Sequence, residues 1–194
     1  MFISLFGFSL FMYSDRGILK LIDSGALKII PFNKKNLQPD SYKIHLDSLV
    51  AIGLRGKVNP LKVRDYSKFF KKKRVSKDGF VLKPGDFILA RTVEKFSIPL
   101  NVSGFITGRT GLARVGVSVV QTAPLIHSGH GLPIPRKIVL EISNSGPFDV
   151  VLSKGMVIGK IVFHRLETSA SKAYDSIGRY GKRKDLNALL PLKE

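Results

Sequence analysis

Apolar residues in this chain change their spacing once, early. Ser14 or Asp15 can cap a helix in which Ile18, Leu19 and Ile22, with Leu27 beyond, recur at helical spacing, and Ser24-Gly25 marks its end. Past that point the pattern shortens to runs rich in Val, Ile and Phe. They are separated by turn signals at Asn59-Pro60, Asp78-Gly79, Lys83-Pro84-Gly85-Asp86, Ser145-Gly146-Pro147 and Ser153-Lys154-Gly155. The spacing predicts strands over 44–52, 80–82, 87–93, 102–107, 115–121, 137–144, 149–152 and 157–166. Many short strands without intervening helices predict a mainly β domain, either a sandwich, a jelly roll or a barrel, with one short amino-terminal helix. No solenoid or propeller period is present.

With 194 residues the chain has the size of one domain. The first twelve residues, MFISLFGFSLFM, form an apolar extension without the leading basic residue of a secretion signal, and are too short to span a bilayer as a helix. They read as a segment ahead of the domain proper at 13–183, either upstream of a working start at Met12 or a short surface anchor. Residues 184–194 form a tail that orders only against something else. The chain has no Cys, so disulfides, thiolate nucleophiles and Cys-built zinc sites are excluded and a reducing cytoplasm is the expected location.

Charge changes the picture more. The formal net charge is +18, which calls for an anionic partner. The densest run, Lys68-Phe69-Phe70-Lys71-Lys72-Lys73-Arg74, reads either as a solvated connection or as a nucleic-acid patch; the solvated reading is favoured.

Two places carry candidate chemistry. Gly108-Arg109-Thr110-Gly111-Leu112-Ala113-Arg114-Val115-Gly116 combines two guanidinium groups, a hydroxyl and flexible backbone, a composition suited to phosphate oxygens but lacking the ending of a Walker loop. In Lys137–Asn144, strict alternation puts Ile138, Leu140 and Ile142 on one face and Val139, Glu141 and Ser143 on the other. Glu141 is then either ordinary surface or a partly buried general base of raised pKa. His127 and His130 stand three apart without a carboxylate to complete a metal set, and no G-x-S-x-G elbow occurs.

Taken in order, these blocks resemble the deoxycytidine triphosphate (dCTP) deaminases, a family grouped with the trimeric dUTPases. The resemblance rests on Ser14-Asp15-Arg16, Leu37-Gln38-Pro39-Asp40-Ser41-Tyr42, Leu82–Phe87, Ile98-Pro99, GRTGLARVGVSV, Thr122-Ala123, IVLEISNSG and Lys154–Gly159, and spans about Tyr13 to Arg183. It implies a distorted jelly-roll or barrel of the dUTPase-like type. It also implies hydrolysis of dCTP to dUTP and ammonia, without zinc, by homotrimers with sites between subunits. Glu141 is implied as the proton carrier, Thr110 as a holder of the water, and Arg114 as the group that orients the site. Arg109 and the backbone around Gly111 would meet the triphosphate, and backbone near Ala123 and Val139 would read the cytosine edge. Leu112, Ala113, His127 and Leu140 complete the implied nucleotide contacts, and Tyr174, Arg179 and Arg183 would close over the ligand. Mg²⁺ is implied only as a companion of the triphosphate, with no protein metal ligands.

The departures are specific. His127 stands where an Asp is usual, which argues against diphosphatase activity and dUMP release. His130 replaces an aromatic residue, Gly111 a Ser, Arg183 a Gln and Lys43 an Asp, and Leu132–Pro135 reads as an insertion. The alternatives are a dUTP diphosphatase and a non-catalytic nucleotide- or nucleic-acid-binding relative.

Overall fold

A computed structural model of the chain describes residues 11–59, 62 and 67–177. Helix α1 (Asp15–Asp23) starts where Ser14 accepts from the Gly17 N–H and ends at Ser24. The strands follow in chain order: β1 (Lys28–Ile30), β2 (Leu37–Gln38), β3 (Ser41–His45), β4 (Leu49–Gly53), β5 (Phe70–Arg74), β6 (Phe80–Leu82), β7 (Phe87–Ser97) and β8 (Val102–Gly108). After β8 come helix α2 (Thr110–Ala113), β9 (Val117–Ser118), β10 (Leu125–Ile126), β11 (Arg136–Asn144), β12 (Val150–Leu152), β13 (Val157–Arg165) and helix α3 (Tyr174–Ile177).

The strands form two large antiparallel sheets and a small ribbon. One runs β5-β4-β7-β11-β9, with β1 added alongside β7; the other runs β10-β8-β13-β3-β2; β12 pairs β6. Neither sheet closes on itself. A single apolar core joins them, with Val50, Ile88, Ala90, Phe96, Leu140 and Ile142 from the first sheet and Tyr42, Ile44, Ile106, Ile161 and Phe163 from the second. The mainly β architecture with a short leading helix is therefore as expected, while the open sheets make it a two-layer sandwich rather than a barrel.

Differences from the sequence reading have local causes. The stretch 44–52 divides into β3 and β4: Leu46 makes an isolated bridge to Thr92, and Asp47 turns to Arg91 and Lys137, its carboxylate accepting from their nitrogens at 2.5 and 2.7 Å. Burial alone would raise that carboxyl, but the Lys137 bond, the Ser48 N–H and Arg91 outweigh it and bring it down to about 2. The stretch 115–121 is strand only at Val117–Ser118. The basic run, expected as a connection, is strand β5.

Inside the sandwich one charge is buried with cause. Glu94, 2% exposed, accepts from the His45 backbone N–H at 3.0 Å and lies 2.5 Å from His45 Nδ1.

Candidate functional site

Strand β11 carries the site. Its residues alternate as expected, with Ile138, Leu140 and Ile142 buried in the core and Val139, Glu141 and Ser143 half-buried on the outer face. On one side β11 is paired with β7 along its length, Glu141 opposite Leu89. On the other side β9 covers only Ser143 and Asn144. The chain leaves the sheet after Ser118, so the edge of β11 at Glu141 has no neighbouring strand among the described residues.

A side chain fills part of that gap. The Gln121 amide donates to the Glu141 carbonyl at 3.2 Å and to Ser143 Oγ at 2.8 Å. Residues of one parity in an antiparallel strand turn their N–H and C=O to the same side. Val139, two residues before Glu141, thus directs its backbone groups toward this open edge, which Gln121 borders. The arrangement offers fixed backbone donors and acceptors to a planar ring edge. The Glu141 carboxylate has no hydrogen bond or ion pair among the described residues. Leu89, the cross-strand partner of Glu141, and Val139 belong to a second small cluster with Leu49, Ala51 and Phe70.

The Gly-rich segment is built beside the carboxyl end of β11. After β8, Arg109 takes an extended conformation and α2 makes a single turn, with Leu112 buried beneath and Arg109, Thr110, Gly111, Ala113 and Arg114 exposed. The segment ends at Gly116, whose φ is +85°, and a Cβ there would lie 2.2 Å from the Gly146 nitrogen. Gly146 in turn would meet the Val115 carbonyl at 2.2 Å if it carried a Cβ. Ser145 completes the fastening, its N–H donating to the Gly116 carbonyl at 2.9 Å. Only two glycines allow backbones this close. By contrast, a Cβ on Gly111 meets nothing within 4 Å, so that position leaves room for the Ser it replaces.

The amino end of β11 is fastened by side chains. The Asp175 carboxylate accepts from the Gly131 N–H at 3.0 Å and from Arg136 through Nη2. The Tyr174 N–H donates to the Ser128 carbonyl at 3.0 Å, and the Tyr174 ring stacks on His127 with centroids 4.8 Å apart. Beneath this contact His130 is buried, its Nε2 without a hydrogen-bond partner among the described residues. Burial, with the Arg136 charge adding to it, pulls its pKa down to about 4.

The residues expected at the site are therefore distributed as follows. Glu141 and Val139 share the outer face, Ala123 follows two residues after Gln121, which borders their edge, and His127 meets Tyr174. Thr110, Arg109 and Arg114 are exposed in the segment stapled to the end of β11, without a hydrogen bond to Glu141. The Leu112 and Leu140 side chains face the core, so only their backbones are available to a ligand. Arg179 and Arg183 lie outside the described residues. Gln121 and Asp175 were not expected; the only sequence signal for either is proximity to Thr122-Ala123 and to Tyr174. Among the described residues no three His, Asp or Glu gather to hold a metal ion, and no helix is long and apolar enough to cross a membrane.

Comparison with known proteins bears on the whole arrangement. A family model described as dCTP deaminase-like matches residues 12–166. The chain is similar to a protein of Corynebacterium glutamicum named dCTP deaminase, dUMP-forming, with 32% identity over 89% of each chain. It is similar to the protein of the same name from Mycobacterium tuberculosis, with 33% identity over 85% of this chain and 86% of that one. Among solved structures it resembles 2'-deoxycytidine 5'-triphosphate deaminase from Agrobacterium tumefaciens, with a TM-score of 0.62 and 21% identity over 79% of this chain and 47% of that chain. The chain belongs to the dCTP deaminase-like family.

Proposed function

We propose that this protein hydrolytically deaminates dCTP and that Glu141 carries the protons. The observation that supports this most is a carboxylate without a protein partner, on the outer face of β11, beside an open strand edge able to read a planar base. The family's named relatives are dCTP deaminases, and a cytosine ring is a planar base of the kind such an edge can read.

The chemistry follows from the groups present. Glu141 takes a proton from water as the oxygen attacks C4 of cytosine and delivers it to the ring N3. It then takes the remaining proton from the new C4 hydroxyl and hands it to the amine as the C4–N bond breaks, so water is consumed, the C4 carbonyl forms and ammonia leaves. The Val139 edge and the segment at Ala123 hold the base, where unmatched backbone groups discriminate against uracil. Thr110 positions the water, Arg114 orients the carboxylate, and Arg109 with the backbone at Gly111 receives the triphosphate. Thr110 and Arg114 make no hydrogen bond to Glu141 within one subunit, which agrees with the homotrimer implied by the resemblance, in which these groups come from a neighbouring copy. Mg²⁺ enters with the nucleotide, bound by phosphate oxygens and water.

On the product, two observations pull apart. His127 puts an imidazole, stacked on Tyr174, where the resemblance implies a carboxylate, which favours release of dUTP. The relatives' names specify dUMP formation, which favours a second reading in which the triphosphate is also cleaved. Incubation with dCTP and Mg²⁺, following ammonia and pyrophosphate together, separates them. Ammonia without pyrophosphate is the expected result; ammonia with equimolar pyrophosphate selects the second reading. Pyrophosphate from dUTP with no ammonia from dCTP would replace deamination by a dUTP diphosphatase.

A further inference from the structure

The most basic part of the molecule is remote from the candidate site. Ten of the 32 Lys and Arg fall between positions 54 and 78, against two acids. The described core of that stretch is the single 3-10 turn Ser67–Phe69, strand β5 and the turn closed by Ser76 and Gly79. Among the described residues β5 pairs only with β4 and is the last strand on its side of the sheet. Two strands, β4 and β7, stand between it and β11, which places it roughly 14 Å from the Glu141 strand.

Lys68, Lys71, Lys73, Arg74 and Lys77 are exposed. The ion pairs among the described residues are made by His45, Arg91, Arg136 and Lys137, and none of those five cations takes part. Two of them instead lie on aromatic faces, Lys68 at 5.2 Å from the Phe69 centroid and Lys73 at 5.7 Å from that of Phe80. These contacts fix where the ammonium groups stand.

One or two lysines suffice to keep an edge strand from pairing with another chain. Five exposed cations outside any ion pair among the described residues go further, since their charges repel one another until a polyanion covers them. Its shape selects the polyanion. Lys71 and Lys73 emerge from one face about 7 Å apart, while Arg74 emerges from the other. The cations thus flank a line along the free edge rather than pave a plane, and the outward N–H groups of an edge strand add donors between them. A flat anionic bilayer matches this poorly; a linear phosphodiester backbone matches it well.

We propose that edge strand β5 and its flanking turns form a sequence-independent docking surface for a nucleic-acid backbone, separate from the nucleotide site. The full-length protein would be titrated against labelled single-stranded RNA, single-stranded DNA and duplex DNA of about 30 residues, between about 50 and 200 mM salt. Saturable binding is expected, with a logarithmic salt slope of about −4 for five phosphate contacts. The three probes show whether RNA or DNA is preferred. Reversal of K68E, K71E, K73E and R74E together should weaken binding at least about thirtyfold at 100 mM salt. Reversal of four exposed lysines elsewhere (K28E, K34E, K35E and K154E) should weaken it less than about threefold. Ammonia release from dCTP by the β5 variant reports that its fold is intact. The milder pair K71Q and K73Q, expected to lower the salt slope by about 2, keeps the test decisive if four reversals prevent folding. Absence of saturable binding, equal loss in both reversed variants, or tighter binding to anionic phospholipid vesicles than to every nucleic acid would overturn the proposal.

Discussion

At the carboxyl end of β11 the fastening is backbone against backbone, Gly116 on Gly146; at its amino end it is made by side chains, with Asp175 reaching Gly131 and Arg136. Glu141 sits between the two. The first fastening admits no side chain and so has no adjustable part: it fixes where the Gly-rich segment stands on the sheet, whichever subunit's Glu141 that segment serves. The second is a set of polar contacts that can open and reform, and it holds the helix from which the last part of the chain leaves. A site that must keep its proton carrier fixed and still admit a nucleotide has reason to use one of each.

Breaking the rigid end should have the larger effect. Gly116→Ala puts a Cβ into the Gly146 backbone and forces a residue with a side chain to a φ of +85°. We expect a loss of about 3 kcal/mol or more in chemical denaturation, and loss of turnover even where the protein still folds. Asp175→Asn tests the adjustable end. It removes the charge from a half-buried pair and should cost about 2 kcal/mol, while raising KM for dCTP more than it lowers kcat. Equal effects of the two variants on kcat would erase the distinction between the ends.

His130 sharpens the comparison through pH. Its folded pKa of about 4 lies below the ordinary value of 6.5, so the buried ring is neutral and the unfolded chain binds the proton more readily. The stabilisation is complete above about pH 6.5 and is lost as pH falls toward 4, on the order of 3 kcal/mol in all. His130→Phe should flatten denaturation midpoints over that window. Asp47, held at about 2, contributes its own loss only at lower pH, from about 4 down. The smallest effect is expected of Gln121→Leu. It removes exposed hydrogen bonds to Glu141 and Ser143, so stability should stay within about half a kcal/mol, while KM for dCTP rises about threefold because the open edge loses its spacer.

These differences track what the sequence could express. The backbone fastening requires glycine, and glycines 116 and 146 stand inside two recognisable motifs, but nothing in the sequence pairs one with the other. The alternation at Ile138–Ser143 is legible, since one face of β11 must enter the core. Asp175 and Gln121 are ordinary polar residues whose partners lie 39 to 44 and 20 to 22 positions away, and no local pattern marks such pairs. Strand β5 was hidden for another reason. Lysine is a poor strand former, and Phe70–Arg74 is strand because β4 offers it a ladder. Likewise the division of 44–52 into β3 and β4 falls at Asp47, whose two cation partners stand on β7 and β11.

The central claim is that one carboxylate on β11 moves the protons of deamination. Ammonia release from dCTP should be measured for the wild type and for Glu141→Gln, alongside nucleotide binding by calorimetry. The account predicts ammonia from the wild type, and from the variant unchanged dCTP affinity with turnover reduced by about 10²–10⁴ or more. A variant that releases ammonia at the wild-type rate would contradict it.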